Sequence, residues 1–260
     1  MTTFQAFLLG IIQGLTEFLP VSSSGHLELG HIVLDIHGHE NLLFAVVVHG
    51  ATVLSTLVVF KKDIVQLFSG VFAFKWNEET RHALLLLLSV VPVAVVGLFF
   101  REEVESLFTG NLFFVGLMLL VTAGLLALTR FVRPGKKKIG WTDALIIGVA
   151  QAIAVLPGIS RSGSTIATGL LLGKRKEDMA RFSFLMVIFP IICANLLDIS
   201  SGKLSDENTI GFIPLAVGFA AAFLSGLLAC KWMINIVKKG KLIYFAIYCL
   251  IIGLIAIFAA

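Results

Sequence analysis

Apolar runs of about 18 to 21 residues recur six times along the chain, at 42–60, 83–100, 111–131, 182–199, 212–229 and 242–260. As a helix rising about 1.5 Å per residue, each is long enough to cross roughly 30 Å of hydrocarbon. Two further apolar regions, 4–34 and 142–173, are interrupted in their middles by proline, glycine and serine. The first breaks at "LPVSSSGHLELG", Leu19 to Gly30, with Glu17 just ahead of the break; the second breaks at "LPGISRSGST". Neither reads as a clean span. The pattern predicts an all-α integral membrane protein with six transmembrane helices and two broken segments.

Composition agrees. With 58% of its 260 residues hydrophobic, 14% charged and a mean hydropathy of +0.99, the chain carries more apolar surface than one soluble core can hide. No Lys or Arg precedes the first apolar stretch, so that stretch is expected to stay in the mature protein and not to be cleaved as a signal. Cys193, Cys230 and Cys249 lie singly in apolar segments without C-x-x-C spacing, as small buried hydrophobes do.

The net charge of +4 is sorted among loops. Lys61, Lys62, Lys75 and Arg81 fall in one; Arg130, Arg133, Lys136, Lys137 and Lys138 in a second; Lys174, Arg175, Lys176 and Arg181 in a third; Lys231, Lys238, Lys239 and Lys241 in a fourth. Arg101 and Lys203 are alone in theirs. By the positive-inside rule the four rich loops face the cytoplasm, and the two poor loops and both termini lie outside. Trp76, Trp141 and Trp232 flank the rich loops as interfacial anchors. The expected setting is the bacterial inner membrane, multi-pass; the charge is a topology signal, "RPGKKK" at 133–138 included, and no nucleic-acid partner is expected.

Sides alternate only if each broken region enters the membrane and returns to the face it came from. A shift of 138 positions pairs Gly10 with Gly148, Gln13 with Gln151, Ser22 with Ser160, Ser24 with Ser162 and Gly25 with Gly163. The single membrane domain, 1–260, therefore reads as two copies of one unit, 1–135 and 136–260. Each copy is a re-entrant helical hairpin followed by three spans. Three crossings is an odd number, so the second copy is inverted and the two hairpin tips can meet near the midplane.

A helix broken in hydrocarbon needs caps, and Ser22, Ser23, Ser24 and Ser160 to Ser164 suit the starts of the resuming helices. Capping does not account for Glu17, His26 and Arg161, because an ionisable group near the bilayer centre costs about 2.5–3.5 kcal/mol. Gln13 and Glu17 share a helix face by their i,i+4 spacing, as do Ser23 and His26 by i,i+3. Across the contact stands Arg161, with Ser160, Ser162, Gly163, Ser164 and Thr165 at a second helix start. Two helix N-termini, hydroxyls and an arginine make an anion site suited to phosphate. A nucleophile and a general acid/base turn it into a phosphatase. Catalysis is expected from Glu17, Ser23, His26 and Arg161, and substrate binding from Gln13, Ser22, Ser24, Gly25, Ser160, Ser162, Gly163, Ser164 and Thr165. In this reading His26 takes the Ser23 proton, and Glu17 orients His26 or holds a divalent cation. Whether Ser23 or His26 attacks phosphorus stays open.

"QGLTEFLPVSSSGH" and "LPGISRSGST", in this order and within this hydropathy, resemble the two signature regions of the undecaprenyl-pyrophosphate phosphatases, the bacitracin-resistance family. The family's Glu/Gln-x-x-x-Glu falls on Gln13 and Glu17, its Pro-Val-Ser-Ser and Gly-His on Pro20 to Ser23, Gly25 and His26, and its Gly-x-Ser-Arg-Ser-Gly on Gly158, Ser160, Arg161, Ser162 and Gly163. The resemblance spans essentially the whole chain. It implies removal of the terminal phosphate of a polyprenyl diphosphate, which recycles the lipid carrier for cell-wall synthesis, in a site reached from the outer, periplasmic face and supported by a divalent cation, Mg or Ca. The sequence itself does not establish the cation. Gln13 stands where some members carry glutamate, and Ala45 follows Phe44 where some members carry an acid, which removes two candidate ligands.

His49, alone in an apolar span, is expected to support or pack; His31, His37 and His39 are expected in an outward loop. A transporter or flippase of a polyprenyl phosphate would use the same anion site and the same inverted repeat. A phosphatidic-acid-type phosphatase would want histidine six residues beyond the arginine, where this chain has Ala167. The expected partners are the polyprenyl diphosphate and the membrane, and the chain is compatible with a homodimer.

Overall fold

The computed structural model describes residues 1–34, 36, 42–107, 111–132, 135–200 and 210–260. The first broken region forms α1, Thr3–Phe18, and α2, Ser23–Val33. A capping box starts α1, with Gln5 N–H on Thr2 Oγ1 at 3.2 Å and Thr2 N–H on Gln5 Oε1 at 2.7 Å. It stops because Leu19, preceding Pro20, takes an extended conformation at φ −70° and ψ 143°. Then come α3, Leu42–Val59, and α4, Lys61–Val71, bent by 74° across Phe60. After them follow α5, Glu78–Phe99; the short α6, Arg101–Glu105; and α7, Leu112–Leu128, extended by a 3-10 turn over Thr129–Phe131. The second broken region forms α8, Trp141–Ile153, and α9, Arg161–Leu171. The chain ends with α10, Lys176–Met186; α11, Ile188–Ser200; α12, Phe212–Lys239; and α13, Ile243–Phe258. Among the described residues there is no strand, only an isolated bridge between Lys137 and Lys174.

Four stretches are long and apolar enough to cross a membrane: Glu78–Phe99, Leu112–Phe131, Lys176–Asp198 and Phe212–Lys239. The bent α3–α4 pair makes up to five. The molecule is an all-helical, multi-pass membrane protein. Its outward faces carry exposed Leu87, Val95 and Leu98 on α5, Leu224 and Leu228 on α12, and Ile247, Ile251 and Ile255 on α13. Such faces suit lipid, since no second layer covers them. The run expected at 242–260 yields only 16 helical residues, about 24 Å at 1.5 Å per residue. The run at 212–229 continues through Lys231 to Lys239, because lysines near a helix end can extend their heads to the interface. The run at 182–199 starts earlier, at Lys176, and is interrupted at Val187.

The basic loops gather at one end. Arg181 pairs with Asp63 at 3.3 Å and Lys138 with Glu78 at 3.4 Å, while Arg81 donates to Ile139 O at 3.1 Å. A Cβ on Gly240 would lie 2.4 Å from Lys176 Nζ, so the fourth basic loop joins the third. At the other end Arg101 pairs with Asp198 at 2.5 Å.

Small residues let the helices approach. In α1, a Cβ on Gly10 would lie 2.5 Å from Gly218 O of α12; in α8, a Cβ on Gly148 would lie 2.5 Å from Ser89 O of α5. Packing pairs α1 with α12, α8 with α5, α3 with α11, and α7 with α13. Each broken region leaves beside its point of entry. Gln5 Nε2 donates to Leu34 O at 3.1 Å, and Lys174 Nζ donates to Asp143 Oδ2 at 2.5 Å. The two breaks touch: Cβ atoms on Gly25 and Gly163 would lie 3.3 Å from Gly158 Cα and 3.2 Å from Pro20 Cβ.

Candidate active site

Two successive turns of the first hairpin carry its chemistry. In α1 the Gln13 Nε2 donates to Glu17 Oε2 at 3.0 Å, with Gln13 fully buried and Glu17 7% exposed. Ser22 makes the turn into α2 at φ 70° and ψ 100°, a left-handed value rare for a residue with a Cβ. Strain of this kind persists where the surroundings over-determine it, and it clusters at functional sites. The Ser22 hydroxyl accepts the Gly25 N–H at 3.3 Å and lies 3.3 Å from Ser24 Oγ. Ser23, the first residue of α2, turns back toward α1 and donates to Glu17 Oε2 at 2.7 Å.

The second hairpin closes the site. Ser160 caps α9 by accepting the Gly163 N–H at 3.1 Å, and its own N–H donates to Thr122 Oγ1 of α7 at 3.0 Å. Gly158, at φ 94°, crosses α7 so closely that a Cβ would lie 2.5 Å from Val115 O. A side chain there would be both strained and clashing. Arg161, the first residue of α9, pairs with Glu17 Oε1 across the contact between the breaks. Ser162 donates to Leu19 O at 3.3 Å.

Among the described residues, the amides of Ser23, Ser24, Arg161 and Ser162 have no protein acceptor. These are the orphan donors of two adjoining helix N-termini, and with the Arg161 guanidinium they form a cradle for an anion. From Glu17, Arg161 and Ser162 a narrow cleft runs past Thr52, Thr56 and Ser183 to Val187, Ile188 and Ile191.

His26 departs from expectation. Its Nδ1 lies 2.8 Å from Ser22 O and its Nε2 2.8 Å from the Tyr248 hydroxyl of α13, so neither ring nitrogen reaches Ser23. Despite their i,i+3 spacing, His26 reaches Tyr248 of α13 while Ser23 reaches Glu17 of α1, and Glu17 takes the contact expected of His26. Thr165 sits deeper than expected: its hydroxyl donates to Arg161 O at 2.9 Å and lies 2.6 Å from Ser183 Oγ. Ser164 is buried with no partner for its hydroxyl among the described residues. His49 lies beside the site, with Nε2 4.0 Å from Glu17 Oε2 and Nδ1 2.8 Å from Ala45 O. Tyr248 and Thr122 were not foreseen; a hydroxyl in mid-span was the only sequence signal for either. His37 and His39 lie outside the described residues.

The donor set does not make a divalent-cation site. Glu17 is ringed by the Gln13 amide, the Ser23 hydroxyl and the Arg161 guanidinium, and among the described residues no second acid is paired with it. No group of three or more His, Cys, Asp or Glu among the described residues could hold an ion.

A buried acid, an arginine and a hydroxyl between two helix N-termini make up the candidate site. The bacitracin resistance protein BacA family matches residues 6–255. A Parabacteroides distasonis protein named undecaprenyl-diphosphatase is 58% identical over 261 residues, 99% of this chain and 98% of its own. Proteins of the same name from Bacteroides fragilis, 58% identical over 99% of this chain and 98% of their own, and from Christiangramia forsetii, 57% identical over 100% and 99%, are similar throughout. The chain belongs to the bacitracin resistance protein BacA family.

Proposed function

We propose that this enzyme hydrolyses undecaprenyl diphosphate to undecaprenyl phosphate and inorganic phosphate, returning the lipid carrier to cell-wall synthesis. The observation that carries the reading is the hydrogen-bonded line from Ser23 through Glu17 to Arg161, laid between two helix N-termini with free amides. Kinship over the full chain to proteins named undecaprenyl-diphosphatase supports the substrate. Transport of a polyprenyl phosphate, the other reading of the sequence, is not favoured by these relatives.

In the proposed reaction the terminal phosphoryl group lies against the amides of Ser23, Ser24, Arg161 and Ser162. Arg161 neutralises charge on its equatorial oxygens. Ser23 Oγ forms a bond to phosphorus as the bridging P–O bond breaks, and the Ser23 proton passes to Glu17. Undecaprenyl phosphate leaves along the apolar cleft. Water then attacks the phosphoserine, giving up one proton as Ser23 regains one, and inorganic phosphate departs. His26, one turn along α2, is the base for this second step. Positioning and charge suffice for most of the rate, since the transition state for phosphoryl transfer is loose. No step runs through a metal ion.

We place the site in the bacterial inner membrane with two re-entrant hairpins in an inverted repeat. What supports this is the exchange of partners between halves, α1 on α12 and α8 on α5, and the meeting of each hairpin's open ends. Hairpin one opens at the end that carries few basic residues, which by the positive-inside rule is the periplasmic face. Purified protein incubated with undecaprenyl diphosphate should release one inorganic phosphate per lipid; intact diphosphate after prolonged incubation would end the reading.

A further inference from the structure

His26 is held from two sides, and the second holder belongs to the other end of the chain. A carbonyl can only accept, so the 2.8 Å contact between His26 Nδ1 and Ser22 O places a proton on Nδ1. In a neutral imidazole Nε2 is then the acceptor, and the Tyr248 hydroxyl donates to it at 2.8 Å. The two rings also stack, with centroids 5.5 Å apart and planes 14° from parallel. These contacts set the imidazole's position and plane together.

Tyr248 is unusual in its own helix. Tyrosine in membrane helices is enriched at the interfaces, where its hydroxyl is wet. Tyr248 sits inside the apolar run of α13, and the next residue, Cys249, packs its thiol 3.6 Å from Pro20 O at the first break. Helix α13 is fixed in turn against α7 by close backbone approach, since a Cβ on Gly253 would lie 2.9 Å from Gly116 O. A rigid helix from the second half thus aims a phenol at the imidazole of the first. The Ser22 carbonyl that completes the clamp belongs to the residue at φ 70°, so the strained turn and Tyr248 act on one ring.

We infer that Tyr248 is a positioning residue for His26, holding the imidazole with Nδ1 protonated and Nε2 unprotonated, the form in which it serves as a base. The inference rests on the reading above that His26 acts on the water that attacks the phosphoserine. To take the proton of that water the imidazole exchanges the Tyr248 O–H at Nε2 for the water, while the Ser22 carbonyl keeps Nδ1 bound; once Nε2 is protonated, the Tyr248 oxygen, both donor and acceptor, accepts from it. The ring is therefore held through the whole proton cycle without reorientation.

The test uses the full-length protein in liposomes with undecaprenyl diphosphate labelled in its terminal phosphate. Tyr248→Phe keeps the ring and its stacking and deletes only the hydroxyl, so the variant should still insert and fold, with an unfolding temperature lowered at most by the loss of one hydrogen bond. Its kcat should fall roughly five- to tenfold, the scale of one hydrogen bond, with KM falling in step so that kcat/KM is unchanged. Because only the second step is slowed, labelled phosphoprotein should accumulate in Tyr248→Phe and in His26→Gln, and not in the wild type. A change that merely loosened α13 would slow both steps and trap no label. Wild-type turnover in Tyr248→Phe, or label trapped by His26→Gln alone, would overturn the role of Tyr248 and leave His26 in place. Label trapped by neither variant, with both slow, would overturn the inference together with the assignment of His26 to the second step.

Discussion

Glu17 and Arg161, 144 positions apart and on different helix breaks, form a buried ion pair where the two hairpins touch. The pair ties the candidate site to the architecture: a buried charge is costly without its partner, and these two meet only because the breaks do. The Ser23 hydroxyl bonds the same carboxylate, so the proposed nucleophile, base and phosphate-binding cation meet at one side chain.

Arg161→Lys should retain insertion and lose most activity. Lysine keeps the charge but has neither the planar fork nor the reach to bond Glu17 and a phosphoryl oxygen together. A fall of about a hundredfold in phosphate release is expected, on the scale of losing a transition-state donor. Turnover within twofold of wild type would remove Arg161 from the site.

Gln13→Glu would put a second carboxylate against Glu17, where the present amide stands 3.0 Å from Oε2. Two carboxylates that close cannot both stay ionised unless a cation or a proton intervenes. Phosphate release by this variant should therefore depend more steeply on added Mg or Ca than release by the wild type. Equal dependence in titrations of both proteins would contradict the reading of Gln13 as the neutral substitute for a ligand.

Thr165→Val should act on stability more than on turnover. The Thr165 hydroxyl is taken up by the Arg161 carbonyl and by Ser183, which itself lines the cleft. Its removal leaves buried Ser183 with one partner fewer, a loss of about 1–3 kcal/mol. A lowered unfolding temperature with unchanged KM is expected; a raised KM at wild-type stability would return Thr165 to the substrate.

Orientation is tested by cysteine labelling from outside the cell. Glu102→Cys, at the end where Arg101 meets Asp198, should react with an impermeant maleimide, and Lys137→Cys should be protected until the membrane is permeabilised. The reverse pattern would invert the proposed topology.

The sequence pointed to Glu17, His26 and Arg161 because ionisable residues in apolar segments are expensive and their presence demands partners; the structure pairs Glu17 with Arg161 and holds His26 between Ser22 O and Tyr248. The 138-position repeat disclosed that the two breaks correspond, and the structure brings them into contact. What stayed hidden depends on rotation and on distant packing. The i,i+3 spacing of Ser23 and His26 suggested one shared face, but the actual turn at Ser22 sends Ser23 to α1 and His26 to α13. Tyr248 could not be assigned to a site 222 positions away. The bend at Phe60 falls where the apolar run gives way to Lys61 and Lys62, whereas the break at Val187 lies inside the apolar run 182–199 and leaves no mark in hydropathy.

The central claim is that Ser23 is the nucleophile and Glu17 receives its proton. It is tested most directly by rapid quench of the His26→Gln protein with undecaprenyl diphosphate, followed by mapping of the phosphorylated residue. The account predicts phosphate on Ser23, lost in the double variant with Ser23→Ala, and a turnover in Ser23→Ala alone that is lower by about two or more orders of magnitude. Wild-type turnover in Ser23→Ala, or wild-type protein trapped with its phosphate on His26, would contradict it.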